Sequence, residues 1–271
     1  MKAKRPQGSA GLAASERLPV LFVGHGNPMS AIAPDRFSRA WTEAGKALPR
    51  PRAVLAISAH WCSDATLVHG SARPRTIHDF HGFPEQLYEE CYPCPGAPEA
   101  AEELRRTVRS VRVGLDSVWG LDHGTWIVTK RLFPEADIPV FQLSIDSSKP
   151  AQFHYDLARE LAPLRRRGVL ILASGNIVHN LGMLQYEPDA KPYDWALEFD
   201  ALLEEGIRKG EHRRLIDCES LGAGAALAVP TPDHYWPLLY ALGLQEPDER
   251  PQFFAEGIAH ASISMRSFQL G

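Results

Sequence analysis

Four stretches of this chain are predominantly apolar for the length of a strand: residues 20–23, 53–57, 140–145 and 169–173. Each stops at Gly, Ser or Asp rather than running on into further apolar sequence. A strand with one face in water alternates apolar and polar side chains, whereas a strand covered on both faces does not. Runs of this kind therefore predict a mostly parallel sheet buried between two layers. Between them, patterns of helical period occupy 35–48, 97–111, 150–166 and 193–209, the first following Pro34 with Asp35 placed to start it. Strand and helix in alternation predict the α/β class. The end of the chain, 252–257 and 260–268, alternates well enough for an antiparallel edge pair. The expected architecture is thus a mixed, mostly parallel central sheet flanked by helices, with antiparallel C-terminal strands. No repeat, low-complexity tract or long linker divides it, so one domain is expected over 18–271, preceded by a flexible extension over 1–17.

Composition narrows the partners. Of 271 residues, 29 are Lys or Arg and 33 are Asp or Glu, a formal charge of −4 that gives no reason to expect nucleic acid or an anionic membrane. The basic runs at Arg105, Arg106, Arg109 and Arg112, and at Arg165, Arg166 and Arg167, read as solvated helix faces. No apolar stretch approaches the roughly 20 residues of a membrane span. The basic N-terminus has no apolar core of a secretory signal, so a cytoplasmic location is expected. Cys91 and Cys94 form one CxxC in a proline-rich loop, without the second pair that a zinc knuckle needs, and the cysteines are expected to be reduced.

Histidine placement carries the functional signal. In open α/β sheets, ligands collect beyond the carboxyl ends of the strands. His25 in GHGNP, His60 in ISAHW and His179 in ASGNIVHN all follow predicted strands, and His123 in LDHGTW and His234 in PTPDHYW stand in constrained loops. One histidine in such a place is more often structural, but five together indicate a site. Trp61, Trp126 and Trp236 trail three of them and are expected to wall a pocket. His69, His154, His212 and His260 read as structural, and His78 and His81 as candidate pocket lining.

The sequence holds no GxSxG elbow, no GxGxxG or Walker loop and no HExxH helix. Dispersed histidines from separate strand ends are instead how an α/β scaffold assembles a mononuclear metal centre, where imidazole suits Zn, Fe, Cu or Ni. Histidines left over serve as acid/base groups, because imidazole titrates near neutral pH.

The succession GHGNPM, SAHW, TIHDFHGFP, LDHGTW, SGNIVHNL and TPDHYWPLLYALG resembles the class III extradiol ring-cleavage dioxygenases, and within them the 4,5-DOPA dioxygenase branch. The resemblance runs from Leu18 to the C-terminus. It implies a catechol substrate cleaved by O2 to a ring-opened semialdehyde, at one divalent metal: Fe(II) for turnover, with Zn(II) plausible as the bound ion. It also implies that His25, His60 and His234 are metal ligands. His179 matches the acid/base histidine beside the metal, near enough to count as a fourth ligand, and His123 matches the residue over the oxygen- and substrate-binding side. Asp122 and Asp233 then either support the neighbouring histidines or cap a helix or turn. Protocatechuate-type relatives use two histidines and a carboxylate, whereas the matching position here is His234. Three neutral imidazoles leave the site with both charges of a divalent ion, which favours a dianionic catechol and weakens selectivity for iron over zinc. The alternatives are a zinc hydrolase on the same ligands and a non-enzymatic metal-binding scaffold of the same fold. Oligomeric state is not readable from the sequence.

Overall fold

The computed structural model describes residues 12–271; the first eleven residues of the expected extension lie outside it. Six strands form the central sheet: β1 (Val20–Gly24), β2 (Ala53–Ser58), β3 (Val140–Gln142), β4 (Val169–Gly175), β5 (Gln252–Ala255) and β6 (Ser267–Leu270). Their order is β3-β2-β4-β1-β6-β5. The first four run parallel, and β6 and β5 complete the sheet antiparallel, as the mixed α/β expectation required.

Burial on both faces explains the uninterrupted runs. Val20 and Phe22 face one core with Leu55, Phe141 and Ile171, while Leu21 and Val23 face a second core with Val54, Leu170 and Leu172. The first core is closed by the helices Pro98–Thr107, Ala151–Arg165, Asp194–Lys209 and Trp236–Gly243, and the second by Arg36–Ala47 and His123–Leu132. Each strand side chain lost to water on either face contributes about 1.5–3 kcal/mol if large and apolar. A polar residue on either face would forfeit that, hence no alternation.

Several boundaries differ from the sequence reading. The run at 140–145 breaks at Gln142, whose side chain turns to Asp122, and resumes as a short ladder, Ile145–Asp146 against Cys62–Ser63. The C-terminal pair is β5 with β6 over 267–270, and β6 is interior, between β1 and β5. Residues 258–264 form a separate hairpin, Ile258–Ala259 against Ile263–Ser264, that leaves the sheet. Its turn holds His260 (φ 52°) and Ala261 (φ 66°) in the left-handed region, which disfavours side chains with a Cβ.

The reading of one basic run is corrected. Arg165 is not on a solvated face: it is fully buried and pairs with buried Glu249, and it donates to the carbonyls of Leu18 and Leu244. Leaving that charge unpaired would be costly, so its ion pair and carbonyl bonds fix the start of β1 against the end of the long helix. His154 lies on a buried helix face, with Nδ1 3.1 Å from the Tyr240 hydroxyl. Residues 12–17 of the expected extension run along the body, where the Ser15 amide donates to Arg166 and Arg17 pairs with Glu246 and Asp248. The four cysteines are free. Among the described residues no helix is long and apolar enough to cross a membrane.

Candidate metal centre

The parallel strands β1, β4 and β2 end side by side, with Gly24 opposite Gly175 and Ser58 opposite Ser174. The chain turns off each end into a histidine-bearing loop, which is why motifs far apart in sequence meet. His25, His60, His123, His179 and His234 all line one cavity of about 300 Å³. The ring centroids of His25 lie 4.9 Å from His60, 5.6 Å from His123 and 5.3 Å from His234. The rings of His179 and His234 stack in parallel at 3.5 Å.

Hydrogen bonds fix how these rings present themselves. The Ser174 hydroxyl donates to the Gly124 carbonyl at 2.6 Å, so it accepts from Nδ1–H of His25 at 2.9 Å. Asp79 accepts from Nδ1–H of His123 at 3.0 Å and from its backbone amide at 2.8 Å, and reaches Nδ1 of His60 at 3.4 Å. Asp233 takes Nδ1–H of His234 in a short bond. A neutral imidazole carries one N–H. With Nδ1 bonded to an acceptor in His25, His123 and His234, Nε2 is left as a lone pair in each.

Nε2 of His25 faces Nε2 of His60 at 2.9 Å. Facing lone pairs repel, and a proton or a cation between them relieves this. The separation suits adjacent donors on one ion with bonds of about 2.0–2.1 Å. Nitrogens of His25, His60 and His123 lie within 4.8 Å of one another, placing this group for a single metal ion.

Electrostatics point the same way. Burial, then the neighbouring imidazoles, push the proton affinity of His25 and His60 far down, and the same causes bring His179 to about 3. Rings that refuse protons stay neutral and available to ligate a cation. The Asp79 carboxyl is raised by burial, but the bond from His123 outweighs this and holds it below the usual range. Asp233 is likewise held low against its burial by His234.

Residues 29–270 match the family described as the catalytic LigB subunit of aromatic ring-opening dioxygenase. The chain belongs to the LigB family. A 4,5-DOPA dioxygenase extradiol of Escherichia coli K12 is 44% identical over 95% of this chain and 96% of its own length. The enzyme of the same name from Beta vulgaris is 38% identical over 82% and 85%. The crystal structure of an uncharacterized Escherichia coli K12 protein superposes with a TM-score of 0.83 at 40% identity, covering 94% of this chain and all of that one. This LigB-family chain is an extradiol dioxygenase, and the family's reaction implies a small catecholic substrate and O2.

All five expected site histidines reach the LigB-family cavity, but their surroundings differ from expectation in informative ways. His123 is not in a loop: it opens the helix His123–Leu132, which Asp122 caps by accepting from the Thr125 amide. Asp122 also accepts from Ser58 at 2.7 Å and from Gln142 at 2.8 Å, so it both caps the helix and ties it to β2 and β3. The tryptophans do not wall the cavity. Trp61 stacks on Trp119 at 5.6 Å, Trp126 is buried with its N–H on Ile77, and Trp236 lies over His154 at 4.8 Å. The walls are Phe80, Phe83, Leu181, Leu184 and Ile263. His81 is exposed and His78 bonds the Glu90 carbonyl, while Asp79 and Phe80 from the same motif line the cavity. His260, read as structural, is in the lining too.

Two residues escaped the sequence reading. Asp79 had a signal, a carboxylate between two histidines in TIHDFH. Asn176 had none beyond its place after β4. Its side chain donates to the carbonyls of His25 (2.6 Å) and Ser264 (2.8 Å), and its amide donates to the His234 carbonyl (2.8 Å), fastening two histidine loops and the hairpin together. Gly24 and Gly26 serve close approach rather than a special turn: a Cβ on either would stand 2.7 Å from Met265. The glycine beside the imidazoles is Gly124, where a Cβ would lie 3.1 Å from His60 and 3.2 Å from His25.

Proposed function

We propose that this chain is a metal-dependent extradiol dioxygenase that opens the ring of a DOPA-like catechol beside, rather than between, its two hydroxyls. The observation that carries the metal requirement is the set of Nε2 lone pairs of His25, His123 and His234 gathered at one cavity, each behind an Nδ1 bonded to an acceptor. His25, His60 and His234 hold the ion: Fe(II) for turnover, with Zn(II) readily bound by so nitrogen-rich a set. His234 is preferred as third ligand because its TPDHYW motif resembles the ligand motif of the DOPA branch. The closer grouping of His123 with His25 and His60 favours the opposite assignment. Metal content separates them: His234→Ala is expected to lose the ion and His123→Ala to keep it.

Such an ion would supply Lewis-acid chemistry and bring the catechol and O2, two sluggish reactants, together. The protein's residues do the rest. His179, in the cavity lining beside His234, accepts a hydroxyl proton from the entering catechol and returns it as the ring opens. Parallel stacking on His234 keeps the in-plane lone pairs of the two rings from converging on one point, which fits His179 as a base beside the ion. His123, held through Nδ1 by Asp79, presents Nε2 to the oxygen side, where a second catechol proton taken up there would be passed to negative charge developing on oxygen. Phe80, Phe83, Leu184 and Ile263 cover the ring faces and exclude water. Both atoms of O2 enter the product as one ring C–C bond breaks, leaving an aldehyde and a carboxylate.

Anaerobic loading with Fe(II), followed by oxygen uptake and product spectra with a catechol panel that includes L-DOPA, tests the proposal. Uptake with a yellow semialdehyde product is expected. No uptake with any catechol despite bound iron overturns it, and ester or amide turnover by the zinc form would favour the hydrolase.

A further inference from the structure

The cavity has a second polar end. Away from the five imidazoles, Asn27 and His260 line it among Pro28, Leu181 and Ala259. The ring contacts that join the five do not extend to His260. Its Nδ1 lies 2.9 Å from the Gln185 carbonyl, an acceptor only, so Nδ1 carries the proton and Nε2 is a lone pair. The Asn27 amide is oriented by its Oδ1, which accepts from the Met29 amide at 2.9 Å, leaving Nδ2 toward Nε2 of His260 at 3.5 Å. At that length the bond is weak, and the single Nε2 lone pair is open to a stronger donor.

The backbone that delivers this ring is unusual. His260 and Ala261 both sit at positive φ, without glycine, and the turn is fastened by four bonds to the 185–193 segment. These are the His260 amide and Nδ1 to Pro188 and Gln185, and the Gln185 and Tyr193 amides to His260 and Ala261. Non-glycine residues are held in this region where the surroundings overdetermine them, a condition that clusters at ligand sites. A purely structural His260 would need only its backbone and Nδ1, and would not have to present Nε2 to the cavity.

Charge sets what this end can read. Among the described residues no Lys or Arg lines the cavity, and Asp79 is the lining's one carboxylate. A carboxylate on the substrate would meet no cation here, and burying it unpaired is unfavourable. A hydrogen-bond donor, above all an ammonium, meets a ready acceptor.

We propose that Nε2 of His260, positioned by Asn27, is a specificity-determining acceptor that binds an ammonium-bearing substituent of the catechol, so that in an amino-acid side chain the enzyme reads the amine rather than the carboxylate. This rests on the catechol reading above and names the chemistry at the far end of the same cavity.

The test uses zinc-loaded protein, which binds without turnover, and calorimetric affinity for four ligands. These are L-DOPA, dopamine, 3-(3,4-dihydroxyphenyl)propanoate and 4-methylcatechol. Dopamine and L-DOPA should each bind at least tenfold more tightly than the propanoate, which differs from L-DOPA only by the amine. The variant His260→Asn keeps an amide nitrogen near the Nδ1 position and tolerates positive φ, but lacks Nε2. It should lose at least fivefold affinity for the two amines and stay within twofold of wild type for 4-methylcatechol. With Fe(II), the same variant should raise KM for L-DOPA with little change in kcat. Equal weakening toward all four ligands, or wild-type preference for the propanoate, overturns the proposal and leaves ring cleavage standing. Failure to bind or turn over even 4-methylcatechol overturns both readings.

Discussion

His179 tests the division of labour among the imidazoles most directly. It is buried, holds its proton only below a pH of about 3, and stacks on His234. His179→Gln should keep most of the metal while turnover falls about 10²–10⁴-fold, the usual worth of a positioned acid/base group. Metal analysis alongside steady-state rates checks this, and loss of the ion as complete as in His25→Ala or His60→Ala would make His179 a ligand. Asn176 acts at the same scale without touching the chemistry. Asn176→Ala removes the side-chain donors to the His25 and Ser264 carbonyls, leaving buried acceptors unpaired at about 1–3 kcal/mol. Thermal melts should show that loss, together with weaker metal binding because the His25 loop is no longer held.

At the scale of elements, the site depends on how closely the His123–Leu132 helix approaches β2. Gly124 permits it, since a methyl there would lie 2.7 Å from Ser58 Oγ, within reach of the Ser58–Asp122 bond that caps the helix. Gly124→Ala should lower metal affinity about 10–100-fold, the range seen when groups supporting ligands are disturbed. Competition with a chromogenic chelator measures it, and unchanged affinity would show that the helix has room to move. This approach could not be read from LDHGTW. The motif gave a histidine and a plausible cap, but the cap's other partners, Ser58 and Gln142, come from strands 64 and 20 residues away in sequence. The strands themselves were legible, because burial on both faces writes an uninterrupted apolar run into each. Where one run broke, at Gln142, the cause was again a partner from elsewhere, Asp122.

For the whole molecule, pH and metal are the levers. His154, remote from the cavity and packed under Trp236 and Tyr240, is brought down to about 4 by burial. Unfolded, it takes its proton near the ordinary imidazole value of about 6.5. Between these values the unfolded chain binds more protons, so stability is full above about pH 6.5 and falls as pH drops toward 4. At about 1.4 kcal/mol per pH unit, the loss by pH 5 is about 2 kcal/mol. His154→Gln should therefore lose less melting temperature than wild type between pH 7 and pH 5. Metal acts by mass action: an ion bound only by the folded chain adds about 2.7 kcal/mol at a concentration 100 times its Kd. Chelated protein should melt lower than zinc-loaded protein, with the gap growing with free zinc.

By itself the sequence determined the class of fold and picked out the five histidines that line one cavity. Apolar runs report burial directly, and histidines placed just past strand ends must emerge on one edge of a parallel sheet. Only the tertiary structure decided what those histidines can do. Tautomer, proton affinity and spacing are set by Ser174, Asp79, Asp233 and Asn176, whose contacts span the chain and leave no local pattern. The same holds for the tryptophans, which adjacency in sequence put in the wall and packing put behind it, and for His260, brought into the cavity by a left-handed turn. Local sequence encodes which face of an element is buried; which neighbours share that burial is fixed only when the elements pack.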